Sequence, residues 1–368
     1  MPDRGFLVMD NAYEVYEKIA EDLNKRCILE HTRNLKSIIK KNIDLHPESK
    51  LGNPQDIFAK ATDSLSKIAD ISIPAAVSFA MHFYPLCALK ALPLSKLSKE
   101  AMVRTSILKK VKKEVAIISN SGGGKDANSI KVIADIKQNG HVILNGSLGY
   151  MSLAGVSDYA LVRAFSNTHG SIMCLIPASS PGFHIGTYLF NDSMKSTLTA
   201  KVDFHDCEID KGHYLTSPSD TQSKYLFTYQ RIWFHLIISH VYSKGIKLIV
   251  KRICEQNNGQ PPKNVSPVLL KLALVELSIE GILSKMQNIS DISALDDDFL
   301  LKSSSPKYLV SEAYDLLNSL VYDHIGAEAF LDSDINNMLS ELRYIKIQPT
   351  SNRDIMSAYS GAAFNFYC

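Results

Sequence analysis

The sequence predicts an α+β protein in three consecutive parts: an all-α N-terminal domain, a middle β-barrel or sandwich, and a C-terminal four-helix bundle. Three observations carry this. Apolar residues recur at helical spacing from about Asn11 to Lys113 (Leu35, Ile38, Ile39 and Ile43, then Ile57, Leu65 and Ile68). Short alternating segments broken by turn residues fill Glu114 to about Leu215. Long amphipathic segments return after the polar linker TSPSDTQSK. The implied domains are 1–113, 114–216 and 222–368, and a chain of 368 residues is long enough for more than one packed core.

In the N-terminal part, Ile71 to Leu89 runs 19 residues without a full charge, a length that could span a bilayer. Pro74, His82 and Pro85 interrupt it, so a buried helix is expected and no membrane span. Forty basic against 38 acidic side chains leave a charge of +2, which gives no global field favouring nucleic acid or an anionic membrane. The six cysteines, at 27, 87, 174, 207, 254 and 368, never form C-x-x-C, so free thiols in a reducing cytoplasm are expected. The opening MPDRGFLVMD lacks the apolar run of a signal peptide.

In the β region, Asn139-Gly140 divides VIADIK from HVILN and predicts a tight hairpin with positive φ at both residues. From Leu198 to Phe204 the chain alternates, with Leu198, Ala200, Val202 and Phe204 on one face. Continued alternation puts His205 and Cys207 on a common face, and together with His213 they lack a fourth ligand at metal-binding spacing. SNSGGGKD fails as a phosphate loop at Ser119 and at Asp126.

The C-terminal part predicts helices over about Ser223–Gln256, Pro267–Gln287, Pro306–Ile325 and Asp334–Arg343. Tyr229 and Trp233, four apart, read as core packing. His235 and His240, five apart, do not share a helix face.

Five segments in order resemble the acyl-CoA dehydrogenase family: SNSGGGKD (Ser119 to Asp126), the strand pair ending in NGSLGYMS at Ser152, SIMCLIPASSPGFHIG, STLTAKVDFHDCEID and QRIWFHLIISHVYSKGIKLIVKR. The likeness spans roughly Ser64 to Ala362. It implies bound FAD, with Ser119 and Ser152 as hydroxyls donating to the isoalloxazine edge, Tyr150 covering the ring and Thr350 as a further cofactor contact. It places Lys125 and Arg231 toward the substrate, an acyl thioester on coenzyme A or a carrier protein, whose α,β-dehydrogenation sends a hydride to the flavin. It also implies a homodimer or homotetramer, or a heteromer.

The departures matter as much. The glutamate that serves such enzymes as base aligns with Pro349, in Ile347-Gln348-Pro349-Thr350-Ser351. Its alternative site beside an arginine reads Gln230-Arg231, and an amide cannot take up a proton usefully at neutral pH. Asp354 and Glu208 are the carboxylates that could substitute. Glu255 stands where an arginine would meet the FAD diphosphate, and Asp323 to Ala329 keeps one glycine of the three expected on the adenine side. The alternatives are a silent subunit of a heteromeric dehydrogenase or a flavin-dependent oxygenase that needs no α-proton base. A helical interaction protein without cofactor, using the 71–89 helix as a partner surface, is a third reading, opposed by the Ser119 and Ser152 motifs.

Overall fold

The computed structural model describes residues 53–70, 72–92, 118–121, 130–190, 193–215, 220–289, 295–325, 333–348 and 350–367. The helices expected before residue 53, together with Lys125, Pro349 and the 326–329 glycine segment, lie outside the described residues. The described chain forms two compact units, one within residues 81–227 and one within 53–80, 228–290 and 294–368.

The first unit is built on eight strands: β1 (Ile118–Ser121), β2 (Val132–Ile136), β3 (Val142–Met151), β4 (Tyr159–Ser166), β5 (Gly170–Pro177), β6 (Phe183–Tyr188), β7 (Ala200–Ile209) and β8 (Tyr214–Leu215). Seven of them run in the order β6-β7-β3-β2-β4-β5-β8, and β1 adds to β4 in parallel. Alternation puts Val132, Ala134, Val142, Leu144, Val202 and Phe204 into one core.

The β2–β3 hairpin forms, but with a wider loop than the Asn-Gly pair predicts. Lys137 N–H donates to the His141 carbonyl at 2.8 Å and Gly140 N–H to the Lys137 carbonyl at 2.9 Å, so three residues, Gln138 to Gly140, lie between the paired Lys137 and His141. Gly140 takes φ +85° while Asn139 does not turn left-handed. Asn139 instead uses its side chain, whose Oδ1 accepts from the His141 N–H at 3.1 Å.

Strand β7 also departs from simple alternation. Leu198 has φ +50° and closes a short 3-10 turn (Lys195–Thr197), so the strand starts only at Ala200. Asp206, at φ +45°, forms a bulge opposite Asn145 between the pairs Leu144↔Cys207 and Gly146↔Phe204. The two side chains lock it: Asn145 Nδ2 donates to Asp206 Oδ1 at 2.9 Å, and the Asp206 N–H donates to Asn145 Oδ1 at 2.8 Å. The bulge resets the register of faces. Cys207 is buried and His205 exposed, so the two do not share a face as alternation predicts.

The uncharged stretch is a helix, α2 (Ile73–Ala91), whose residues from 81 onward belong to this unit. Its sides are buried almost throughout, and no helix among the described residues is long and apolar enough to cross a membrane. His82, which interrupts the apolar run, is the polar anchor of β1, for its Nδ1 accepts the Ile118 N–H at 3.0 Å. Burial lowers the His82 pKa from 6.5 to about 4, which keeps that nitrogen an acceptor.

The second unit holds α1 (Pro54–Ala69), the start of α2, and α3 (Asp220–Gln256) from residue 228 on. It continues with α4 (Ser266–Gln287), α5 (Asp297–Ser303), α6 (Ser305–Ile325), α7 (Ser333–Leu342) and α8 (Asn352–Tyr367). The amphipathic faces pack α4 against α6 and α1 against α4. On α3, Trp233 and Tyr229 are core residues, their rings edge to face at 6.4 Å between centroids. The two α3 histidines take different partners: His240 Nε2 meets Ser66 Oγ of α1 at 2.9 Å, and His235 turns toward α5. Helix α8 and the short α5 were not expected from periodicity.

Two outcomes follow. Gly146 has φ +129°, and a Cβ there would lie 2.0 Å from the Lys131 carbonyl oxygen, which is backbone and cannot move aside. Gly146→Ala should cost about 3 kcal/mol or more of unfolding free energy, read by denaturant titration. His82 has its pKa depressed on folding, so its contribution is complete above pH 6.5 and erodes as pH falls toward about 4. His82→Leu should flatten that acid limb while lowering stability at neutral pH, because the Ile118 N–H loses its acceptor.

Candidate functional site

Within the β unit the structure brings Ser119 and Ser152 together. Parallel pairing sets Ser119 of β1 beside Ala160 of β4, and its Oγ donates to the backbone carbonyl of Ser152, just past the end of β3. Ser119 is fully buried and Ser152 half-buried. The Ser152 hydroxyl meets Thr199 Oγ1 at 2.9 Å, Thr199 meets Thr197 Oγ1 at 2.8 Å, and Thr197 donates to the Met194 carbonyl at 2.7 Å. Four hydroxyls thus form a ladder from β1 to the 3-10 turn before β7. Thr197 and Thr199 were missed in the sequence, although strand alternation had set Thr199 apart from the apolar face.

Tyr150, two residues before Ser152, is 69% exposed. A depression of about 300 Å³ opens at the same end of β4 and β5, lined by Ser157, Asp158, Tyr159, Pro177, Ala178 and Ser179. Tyr159 there pairs with Ile118, one residue from Ser119. Lys125 lies outside the described residues.

Within the helical unit a second polar cluster gathers Arg231 and Thr350. An Arg231 terminal nitrogen donates to Thr350 Oγ1 at 3.1 Å, and His235 Nε2 lies 3.3 Å from the same oxygen. His235 Nδ1 meets Ser303 Oγ at 3.1 Å, and Ser303 donates to the Leu300 carbonyl at 2.6 Å. Because the Ser303 proton is committed to a carbonyl, Nδ1 carries the ring proton and Nε2 accepts from Thr350. Burial, then the charges of Arg231 and Lys307, hold the His235 pKa well below its ordinary value, so the imidazole stays neutral.

Lys307 of α6 is fully buried, donates to the Ile345 carbonyl at 2.7 Å, and has its pKa lowered from 10.5 to about 7 by burial, opposed by Asp354. Asn352 Nδ2 donates to Ser311 Oγ of α6 at 2.5 Å. The 345–352 segment is thus tied to α3 through Thr350 and to α6 through Ile345 and Asn352. Ser303 and Lys307 escaped the sequence reading because a serine and a lysine on helices normally face water.

The two carboxylates that could stand in for a missing base have these partners. Asp354 sits in the first turn of α8, where Ser351 Oγ donates to its Oδ2 at 2.9 Å and accepts its backbone N–H at 3.2 Å, a reciprocal helix cap. Glu208 lies on an exposed edge with His141 Nδ1 at 2.7 Å. Gln230 is buried, and Glu255 is an exposed residue in the last turn of α3.

No family model matches the sequence, and no curated protein matches it. Solved structures match in fold. FMN-bound TdsC from Paenibacillus sp. A11-2, a dibenzothiophene monooxygenase, is 14% identical with a TM-score of 0.70, covering 95% of each chain. KijD3 in complex with FMN and dTDP-3-amino-2,3,6-trideoxy-4-keto-3-methyl-D-glucose is 15% identical with a TM-score of 0.72, covering 99% of this chain and 95% of that one. PigA with FAD and proline is 15% identical with a TM-score of 0.71, covering 100% and 99%. The protein therefore has an acyl-CoA dehydrogenase-like fold, the α+β organisation expected from its sequence.

A buried amine with a depressed pKa penalises the folded state whenever it is protonated. Stability should therefore be complete above pH 10.5 and fall as pH drops toward about 7, through the Lys307 pKa. Lys307→Met should remove that slope from a pH series of unfolding titrations, at the cost of leaving the Ile345 carbonyl without its donor.

Proposed function

We propose that the protein is a flavin-dependent oxidoreductase of the oxygen-using kind, working without abstraction of an α-proton. The observation that carries this is the fate of the candidate bases. Gln230 is an amide, the aligned position at 349 is proline, Asp354 accepts from the Ser351 hydroxyl that caps α8, and Glu208 meets His141. His235 does not replace them, because an imidazolium there would sit beside Arg231 and Lys307.

The flavin reading is supported by the ordered motifs of the β region and by the ladder they build. Ser152 offers a half-buried hydroxyl, Tyr150 an exposed ring and Ser119 a buried support for the Ser152 peptide. These residues fit a flavin edge better than a purely apolar ligand. Thr350, held by Arg231 and His235, is proposed as a further cofactor contact, with Lys125 and Arg231 toward the substrate. Bound flavin supplies two-electron transfer and, when reduced, reaction with oxygen. FAD is the expected cofactor from the resemblance, and FMN is equally compatible with what the matching structures hold. A homo-oligomer is proposed on the resemblance, and a cytoplasmic location on the scattered cysteines.

The second reading is α,β-dehydrogenation of an acyl thioester, favoured by the segment order from SNSGGGKD to QRIWFHL. One experiment separates the two. Purified protein reconstituted with FAD or FMN should show bound-flavin absorbance, should not bleach anaerobically with a panel of acyl-CoA thioesters, and after dithionite reduction should reoxidise in air. Bleaching by an acyl-CoA would restore the dehydrogenase, and failure to retain either flavin would remove both readings.

A further inference from the structure

We propose that Thr197, Thr199 and Ser119 are positioning residues that make the Ser152 hydroxyl a hydrogen-bond acceptor only, so that the site prefers a reduced flavin, which carries a proton on N5, over the oxidised form. The inference rests on the flavin reading above and deepens it.

The direction of the ladder follows from one fixed end. A carbonyl can only accept, so the 2.7 Å contact between Thr197 Oγ1 and the Met194 carbonyl uses the Thr197 proton. The 2.8 Å contact between Thr197 and Thr199 must then use the Thr199 proton, and the 2.9 Å contact between Thr199 and Ser152 must use that of Ser152. Ser119 closes the remaining route, since its own proton occupies the Ser152 carbonyl. Thr197 is 1% exposed and Thr199 5%, and reversal would leave Thr197 Oγ1 and the Met194 carbonyl, which also accepts the Thr197 N–H at 3.0 Å, as two oxygens 2.7 Å apart with no proton between them.

Ser152 Oγ is left with lone pairs to offer and no proton. Oxidised isoalloxazine presents acceptors along its N5 and O4 edge, and an acceptor meeting an acceptor is repulsive. Reduction places a proton on N5, and the same edge then presents a donor. The sequence reading, in which both serines donate to the ring, is the opposite polarity. The ladder inverts it without changing a residue at the contact.

The test is an anaerobic binding titration of FMN and of FAD, each oxidised and dithionite-reduced, against wild-type protein, Thr199→Val and Ser152→Ala. Wild type should hold each reduced flavin about tenfold more tightly or better, which raises the potential of the bound flavin by about 30 mV per factor of ten. Thr199→Val keeps the shape and the Thr197–Met194 bond but removes the oxygen that takes the Ser152 proton, so the ratio should fall to near one or invert. Ser152→Ala removes the acceptor and should abolish the preference by a separate route, with the buried threonines untouched. Equal or tighter binding of oxidised flavin by wild type overturns the inference, as does a wild-type ratio in both variants. Binding of neither form by wild type removes the flavin reading itself, and so fails in a different place.

Discussion

A hydroxyl has one proton to give, and the end of the β unit is organised by where four such protons go. Ser119 gives its proton to the Ser152 carbonyl, and Ser152, Thr199 and Thr197 pass theirs in series to the Met194 carbonyl. Each step gives a proton to an oxygen held away from water, where a polar group left unpaired costs about 1–3 kcal/mol. The ladder therefore joins β1, the end of β3 and the turn before β7, three pieces distant in sequence. The same logic fixes β1 on its other side, where a neutral His82 accepts the Ile118 N–H. Apolar packing sets the sheet's faces, and these polar ties set how its end is arranged.

The helical unit solves a related problem with charge. Arg231, His235 and Lys307 crowd around one segment, and three cations there would repel strongly out of water. Neutrality of His235 and a depressed Lys307 pKa relieve this, with Asp297 and Asp354 favouring the charged form of Arg231 and Asp354 that of Lys307. The consequence for chemistry is restrictive. A base must gain a positive charge, or lose a negative one, when it takes a proton, and this environment resists any added positive charge. What the cluster can do well is hold Thr350 and the 345–352 segment in one arrangement.

Much of the fold was legible in the sequence because burial follows periodicity. The stripes of α3, α4 and α6 and the alternation of β2, β3 and β7 identify those elements from apolar spacing alone. What escaped was decided by local backbone geometry or by partners far along the chain. Asp206 looks like any polar strand residue, and only the exchange of bonds with Asn145, 61 residues away, makes it a bulge that turns Cys207 inward, away from the face of His205. His82 looked like a flaw in an apolar helix, and its meaning lies in a strand 36 residues further on. The serines were visible as motif residues, but the direction of their hydrogen bonds depends on the Thr197 hydroxyl and on the Met194 carbonyl, which lies outside every quoted segment.

That last point bears on how an altered site should be read. Substitutions at the contact surface, such as proline or glutamine in place of a carboxylate, subtract a function and are visible in an alignment of motifs. A change in hydrogen-bond polarity is silent at the contact, because Ser152 is a hydroxyl whether it donates or accepts. Its polarity is inherited from a carbonyl three bonds along the ladder, which cannot donate under any conditions. Under the flavin reading proposed above, a Ser152 hydroxyl whose proton points inward is poorly matched to an oxidised ring awaiting a hydride.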